Sequence, residues 1–205
     1  KSLHTIIAAT NRMNELISTL LNITRIESGT ISVTPKNVEL DHLIEEVINE
    51  VSLLAADRSI EVSFSKKHAD NLQTRTDPLI FKEILTNLII NAIKYTPEHG
   101  KVIISANRRA KDIVVKVKDN GWGIPKHVHD QVFSKFFRAQ NIVRRETTGT
   151  GLGLYLVKGL ITALGGNIRF TSSEKHGTTF FVSIPIRKRA AKTEVVDDKK
   201  KAKAK

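Results

Sequence analysis

The stretch DPLIFKEILTNLIINAIKYTPEHGKVIISANRRAKDIVVKVKDNGWGIP, Asp77–Pro125, changes its hydrophobic period once and ends in a glycine loop. Asp77 followed by Pro78 is a helix start, a carboxylate that caps free N–H groups and then a residue with no N–H to leave unpaired. Apolar residues follow at helical spacing to about Tyr95, through Ile84, Leu85, Leu88, Ile89, Ala92 and Ile93. Lys101–Arg108 and Asp112–Lys118 are β-rich runs across a short polar turn and predict a hairpin. On the helix, Glu83, Asn87 and Asn91 are spaced by four and share one face, with Lys94 and Tyr95 a turn further on. A polar stripe on an otherwise apolar helix must meet water, a ligand or a cation. Taken alone it reads as a solvated face, although amide and carboxylate oxygens also suit a hard cation. In DNGWGIP, Asp119 sets a carboxylate at a strand end, and Gly121 and Gly123 let backbone pass close to a flat ligand. An ordinary Asn-Gly turn explains Asn120 and Gly121 as well, but gives no reason for Gly123, Ile124 and Pro125.

Further along, TGTGLGLYLVK, Thr148–Lys158, sets Gly149, Gly151 and Gly153 at the mouth of a helix predicted over Gly151–Leu164. Glycines there let backbone N–H groups and the positive helix end face an anion such as phosphate. No GKS or GKT follows and no strand leads in, so this is neither a Walker A loop nor the dinucleotide fingerprint. Ahead of it, Arg138–Thr148 is polar and cationic, with Arg138, Arg144 and Arg145, and suits a mobile lid over phosphates, though Arg144 and Arg145 by themselves read as solvated loop. Toward the N-terminus, Leu40–Ala56 has helical spacing, and Ile60–Ser65 and Leu72–Thr76 read as strands. Asn167–Ser172 and Thr178–Ile186 form a second hairpin around Glu174–Gly177. The expected fold class is α+β, a two-layer α/β sandwich with one mixed sheet and about three helices on one face.

Composition and charge narrow the alternatives. With 40% hydrophobic and 26% charged residues the 205-residue chain can build a core, and with no cysteine it has no disulfide, thiolate metal site or cysteine nucleophile. Apolar runs such as Leu85–Ile93 fall short of the ~18 residues of a spanning helix. Half of the net charge of +12 sits in Arg187–Lys205, where nine basic residues meet three acidic ones. That tail reads as disordered, which weakens a specific nucleic-acid reading. From Leu3 to Ile26 a heptad runs through Ile6, Met13 and Leu20 in one register and Ala9, Leu16 and Ile23 in the other. Ile7, Ile17 and Leu21 widen the stripe, so this long helix expects more than one neighbour. The division expected is 1–30 for that helix, 31–37 for a connection containing Pro35, 38–186 for the main domain and 187–205 for the tail.

In order, NLIINAIKY, DNGWGIP, VFSKFFRAQN, TGTGLGLYLVK and HGTTFFVSIP resemble the N, G1, F, G2 and G3 boxes of the sensor histidine kinase ATP-binding domain, a member of the GHKL superfamily that includes gyrase and MutL. The resemblance covers about Val38–Ile186. The first helix, ending TRIESG, resembles the second helix of that family's dimerisation and phosphotransfer hairpin. What it implies is a Bergerat ATP-binding fold that takes ATP and Mg2+. Asn91 would hold the Mg2+, Lys94 would neutralise phosphate charge, and Tyr95 would pack near the nucleotide. Asp119 would accept from the adenine amine in a pocket shaped by Gly121, Gly123 and Ile124. Arg138 would reach the terminal phosphate, Gly149, Thr150, Gly151, Leu152, Gly153 and Leu154 would wrap the phosphates, and Thr179 would join the adenine-side water network. His176 reads as a turn residue.

Asn87 bears on mechanism. In ATP-hydrolysing relatives the residue four before the metal-binding Asn is a Glu that activates water. An amide is a poor base, so the γ-phosphate is kept for a protein nucleophile, with Asn87, Lys94 and Arg138 as the catalytic set and Glu83 one shell out. This favours a kinase over a clamp ATPase, while intact Asn91, Asp119, Gly149, Gly151 and Gly153 argue against a degenerate nucleotide-binding scaffold, and a tail-driven nucleic-acid binder would show strong salt dependence. The implied partners are a homodimer mate, a response regulator receiver domain, and a first hairpin helix bearing the acceptor His. None of the seven His begins an acceptor motif, so that helix is expected upstream of Lys1, together with any membrane attachment of this otherwise cytoplasmic region. Incubated alone with radiolabelled ATP, the chain is expected to incorporate no phosphohistidine.

Overall fold

The computed structural model describes residues 2–65, 72–139 and 149–186. The elements run α1 (Ser2–Glu27), β1 (Lys36–Glu39), α2 (Leu40–Glu50), α3 (Ser52–Asp57), β2 (Glu61–Ser65), β3 (Gln73–Thr76), α4 (Pro78–Lys94), β4 (Lys101–Arg108), β5 (Asp112–Asp119), a 3₁₀ helix (Lys126–Gln131), α5 (Gly153–Ala163), β6 (Asn167–Ser173) and β7 (Gly177–Pro185).

The main sheet has the order β2-β4-β5-β7-β6, with β2 and β4 parallel and every other pair antiparallel. Both expected hairpins are present, β4–β5 and β6–β7. Strand alternation turns Val102, Ile104, Val115, Val117, Val182 and Ile184 into the core. Against them lies α4, whose Phe81, Ile84, Leu85, Leu88, Ile89 and Ile93 are fully buried. A helix apolar around most of its surface must be enclosed, and α4 sits in one core cluster with the sheet, α2 and α5. Its start follows the sequence. Asp77 Oδ1 accepts from Leu79 and Ile80 N–H at 3.0 and 3.2 Å, and Oδ2 accepts from Thr34 N–H at 2.8 Å.

The structure corrects two expectations of layout. Leu40–Ala56 is two helices: Val51, at φ −91 and ψ 0, leaves helical geometry while staying buried, and α3 then leads Ala55 and Ile60 into the core. The strand expected at Leu72–Thr76 does not join the main sheet. It forms β3, paired with β1 in a separate antiparallel ribbon from Lys36↔Thr76 to Glu39↔Gln73, so β1 begins inside the stretch read as a connection. The pairing gives the extended backbone after α1 its hydrogen-bond partners, and Arg75 Nε adds a bond to Pro35 O at 3.4 Å.

The C-terminal part of α1 packs on the domain through Ile23, which is buried, and Ile26. Ile6, Met13, Leu16, Ile17 and Leu20 remain exposed along its length. Among the described residues no helix is long and apolar enough to cross a membrane. The expectations for Arg144, Arg145, Thr148 and the tail 187–205 lie outside the described residues.

Asp77 joins the cap of α4 to the segment after α1, so Asp77→Ala should lower stability by about 2 kcal/mol in urea unfolding. Asp77→Asn, which keeps an acceptor oxygen, should lose less.

Candidate functional site

Asp119 ends β5 with only 6% of its surface exposed. Its Oδ1 accepts from Gly121 N–H at 2.9 Å and from Thr178 N–H at 3.0 Å. These bonds fold the loop after β5 back and tie it to the start of β7. Burial pushes the carboxyl up to about 6, against the pull of the backbone N–H groups toward a lower value. Gly123 takes φ +67 in this loop, and a Cβ there would stand 2.0 Å from Ser173 O, so no other residue fits. The loop is further stitched by Trp122 N–H to Tyr95 O at 3.1 Å and by Lys175 N–H to Trp122 O at 2.8 Å.

Above Asp119 opens a cleft with a cavity volume of about 70 Å³, several times the ~10–15 Å³ that one water needs. Of the residues expected at the site, Asn91, Tyr95, Asp119, Gly123, Ile124, Arg138 and Leu154 line it. Asn87 lies beside Asn91 at the first residue of α5, where a Cβ on Gly153 would be 3.0 Å from Asn87 Oδ1 and 3.9 Å from Asn91 Nδ2. Both amides therefore stand at the helix end whose N–H groups have no intrahelical acceptor. Arg138 Nη1 donates to Gly149 O at 3.3 Å, joining the 132–139 segment to the glycine loop. Gly151 makes the closest approach in that loop: at φ +71, a Cβ would stand 2.6 Å from Phe136 C. Leu152 N–H donates to Thr150 Oγ1 at 3.2 Å.

Other expected residues lie elsewhere. Lys94 is half-buried near the end of α4 and Gly121 is packed under Tyr95 O; neither lines the cleft. Leu152 is a core residue, 1% exposed, and only its backbone faces the helix mouth. Thr179 points to the opposite face of β7, and the residue in the cleft is Thr178. The signal was available, because Thr178 shares its parity with the buried Phe180, Val182 and Ile184. Ser172 was also missed: its Oγ accepts from Ile124 N–H at 2.8 Å and lies 2.8 Å from Thr178 Oγ1. The apolar wall of Ala92, Val132, Phe137, Ala139 and Phe180 was not read as a wall. Glu83 does not line the cleft and accepts from Asn22 Nδ2 at 3.0 Å, its carboxyl raised by burial and partly lowered by that bond. Glu39, Asp41 and His42 bring ligating atoms within 4.8 Å on the exposed start of α2, where Gln73 Nε2 and His42 Nδ1 already engage Glu39.

The site is thus a buried acceptor beneath a small apolar cleft, with two amides and a glycine-rich helix mouth at its edge. Residues 76–188 match the family described as Histidine kinase-, DNA gyrase B-, and HSP90-like ATPase, and the chain belongs to that family. It is 32% identical over 175 residues to the sensor protein EvgS of Escherichia coli O157:H7, covering 83% of this chain and 14% of EvgS. It is 32% identical over 175 residues to the sensor-like histidine kinase SenX3 of Mycobacterium tuberculosis (strain ATCC 25618 / H37Rv), covering 85% of this chain and 42% of SenX3. The chain thus spans less than half the length of these relatives. Among solved structures, the catalytic domain of histidine kinase ThkA superposes with a TM-score of 0.65 at 30% identity, over 75% of this chain and 96% of that domain. ThkA in complex with the response regulator protein TrrA gives a TM-score of 0.67 at 25% identity, over 85% of this chain and 49% of that one.

The raised carboxyl of Asp119 makes a signed prediction. A carboxyl whose folded value exceeds its unfolded value holds its proton more tightly when folded, so the stability it contributes is full below about pH 4 and is lost as pH rises through about 6. Asp119→Asn keeps the Oδ1 acceptor without the charge. Without nucleotide, it should be more stable than the parent above pH 6, by on the order of 2–3 kcal/mol. The gap should close toward pH 4 in denaturant titrations across that range.

Proposed function

We propose that this chain is the ATP-binding catalytic part of a sensor histidine kinase, which transfers the γ-phosphoryl group of ATP to a histidine on a dimerisation helix. The observation that carries the reading is the buried carboxylate of Asp119, two N–H groups fixed on one oxygen and the cleft above it. Such a carboxylate is an acceptor for the exocyclic amine of adenine, and the apolar wall suits the faces of a purine. The phosphates would then run toward α5, whose first-turn N–H groups and glycine loop suit an anion.

Asn91 offers one amide oxygen at that edge, which fits Mg2+, an ion that commonly takes one or two protein oxygens and keeps waters and phosphate oxygens for the rest. When bound, the ion would supply charge neutralisation between phosphates. Arg138, held at the glycine loop, would supply a cation near the terminal phosphate, and Lys94 a further cation at the end of α4. In the transfer the bond from the γ-phosphorus to the β–γ bridging oxygen breaks and a bond to an imidazole nitrogen forms, leaving ADP. Asn87, being an amide, does not take a proton from water, which favours transfer over hydrolysis. The imidazole acceptor would pass the group to an aspartate of a response regulator receiver domain. The ThkA–TrrA complex supports a partner of that class.

Calorimetric titration with ADP and ATP, with and without Mg2+, tests the reading. The parent should bind both, Asp119→Asn should bind neither measurably, and Asn91→Ala should lose the Mg2+ dependence. Because the carboxylate is the acceptor, affinity should fall below about pH 6, by up to about tenfold per pH unit. A folded parent that binds no adenine nucleotide would overturn the reading. Binding without transfer to a supplied acceptor hairpin would leave a nucleotide-binding scaffold.

A further inference from the structure

The C-terminal end of α1 reaches three of the elements that border the cleft, α4, α5 and the 132–139 segment. Asn22 Nδ2 donates to Glu83 of α4, one turn before Asn87. Ile26 sits against α5 so closely that a Cβ on Gly159 would stand 2.6 Å from Ile26 Cδ1. Glu27, the last residue of α1, is engaged twice: its Oε1 accepts from Tyr155 Oη at 2.8 Å and pairs with Lys135 Nζ. The Lys135 ammonium also lies 5.3 Å from the centre of the Tyr155 ring, so the three groups close a triangle. Hydrogen bonds from Lys135 and then Tyr155 hold the Glu27 carboxyl below its ordinary value.

The position of the triangle matters more than its strength. Tyr155 follows Leu154, which lines the cleft from the first turn of α5. Lys135 lies three residues before Arg138, which lines the cleft from the other side and bonds the glycine loop. Between them, Phe136 is at φ +60 and its backbone packs closely on Gly151, so Lys135 adjoins a direct contact with the glycine loop. A docking contact that served only to hold α1 would have no need to bridge these two segments.

We propose that Glu27 is a positioning residue for the nucleotide site: by joining Lys135 to Tyr155 it fixes the 132–139 segment, and with it Arg138, against the start of α5. The orientation of α1 and the occupancy of the cleft are then coupled. This rests on the reading of the cleft as a nucleotide site. The coupling is reciprocal, so whatever factor the triangle contributes to nucleotide affinity, nucleotide returns to the docking of α1.

The test uses the whole chain and compares Glu27→Ala, Glu27→Gln, Lys135→Met and the Glu27→Ala/Lys135→Met double variant, each first shown to melt cooperatively. ADP affinity is read by calorimetry, and amide hydrogen exchange is read without nucleotide. Glu27→Ala and Lys135→Met should each weaken ADP by roughly two- to fivefold, the scale open to exposed charged pairs. The double variant should be little worse than either single one. Glu27→Gln, which keeps an acceptor for Tyr155, should recover part of the loss. Exchange in residues 132–139 should quicken in Glu27→Ala. If Glu27→Ala binds ADP like the parent and only α1 exchanges faster, Glu27 is a docking residue and the proposal is overturned, with the cleft reading intact. A parent that binds no adenine nucleotide would remove the cleft reading and this proposal together.

Discussion

A single carboxylate oxygen, Asp119 Oδ1, accepts from two backbone N–H groups, Gly121 just beyond it and Thr178 on β7, 59 residues further along the chain than Asp119 itself. Removing a charge from water is costly, and the upward push on this carboxyl records that cost. The fold meets it by fixing the loop after β5, where Gly123 permits close passage beside Ser173. The β6–β7 turn is fixed by the same arrangement, with Ser172 and Thr178 hydroxyls 2.8 Å apart and Ser172 reaching Ile124. The floor of the cleft is therefore rigid.

Its rim is built differently. Asn87 and Asn91 come from the interior of α4, held in place by one of the most deeply buried helices in the domain. The opposite side is made of the 132–139 segment and the glycine loop, which meet through Arg138 Nη1 and Gly149 O and through the contact of Gly151 with Phe136. An acceptor held by hydrogen bonds at the floor and a rim that ends at a glycine-rich helix mouth suit a ligand with a flat base and a charged tail. The attachment of α1 to that rim through Glu27 places the long helix where it can sense the site or influence it.

Much of this was legible in the sequence, and what was not has identifiable causes. Asp77-Pro78 gave the start of α4 because a cap is a local interaction, and both hairpins followed from β-rich runs around short turns. Asn91, Asp119 and the glycines were placed by the order of the five boxes, since taken alone the polar face of α4 reads as solvated and the loop after β5 could be an ordinary turn. The β1–β3 ribbon escaped notice because its four-residue strands are too short to show alternation, and their pairing depends on where α1 delivers the chain. The break at Val51 carries no glycine or proline to announce it. Thr179 was placed at the site through the motif alone, although the parity of β7 turns Thr178 inward. The partners of Glu83 and Glu27 could not be read, since Asn22, Lys135 and Tyr155 lie far off in sequence and meet them only through the docking of α1.

Recognition of an exocyclic amine by Asp119 is tested by base discrimination. Adenine presents an amino group where guanine presents a carbonyl oxygen, which a carboxylate acceptor would repel. Competition of ADP and GDP for the parent chain at pH 7.5 should favour ADP by at least about tenfold. Equal affinity for the two would mean that Asp119 does not read the base.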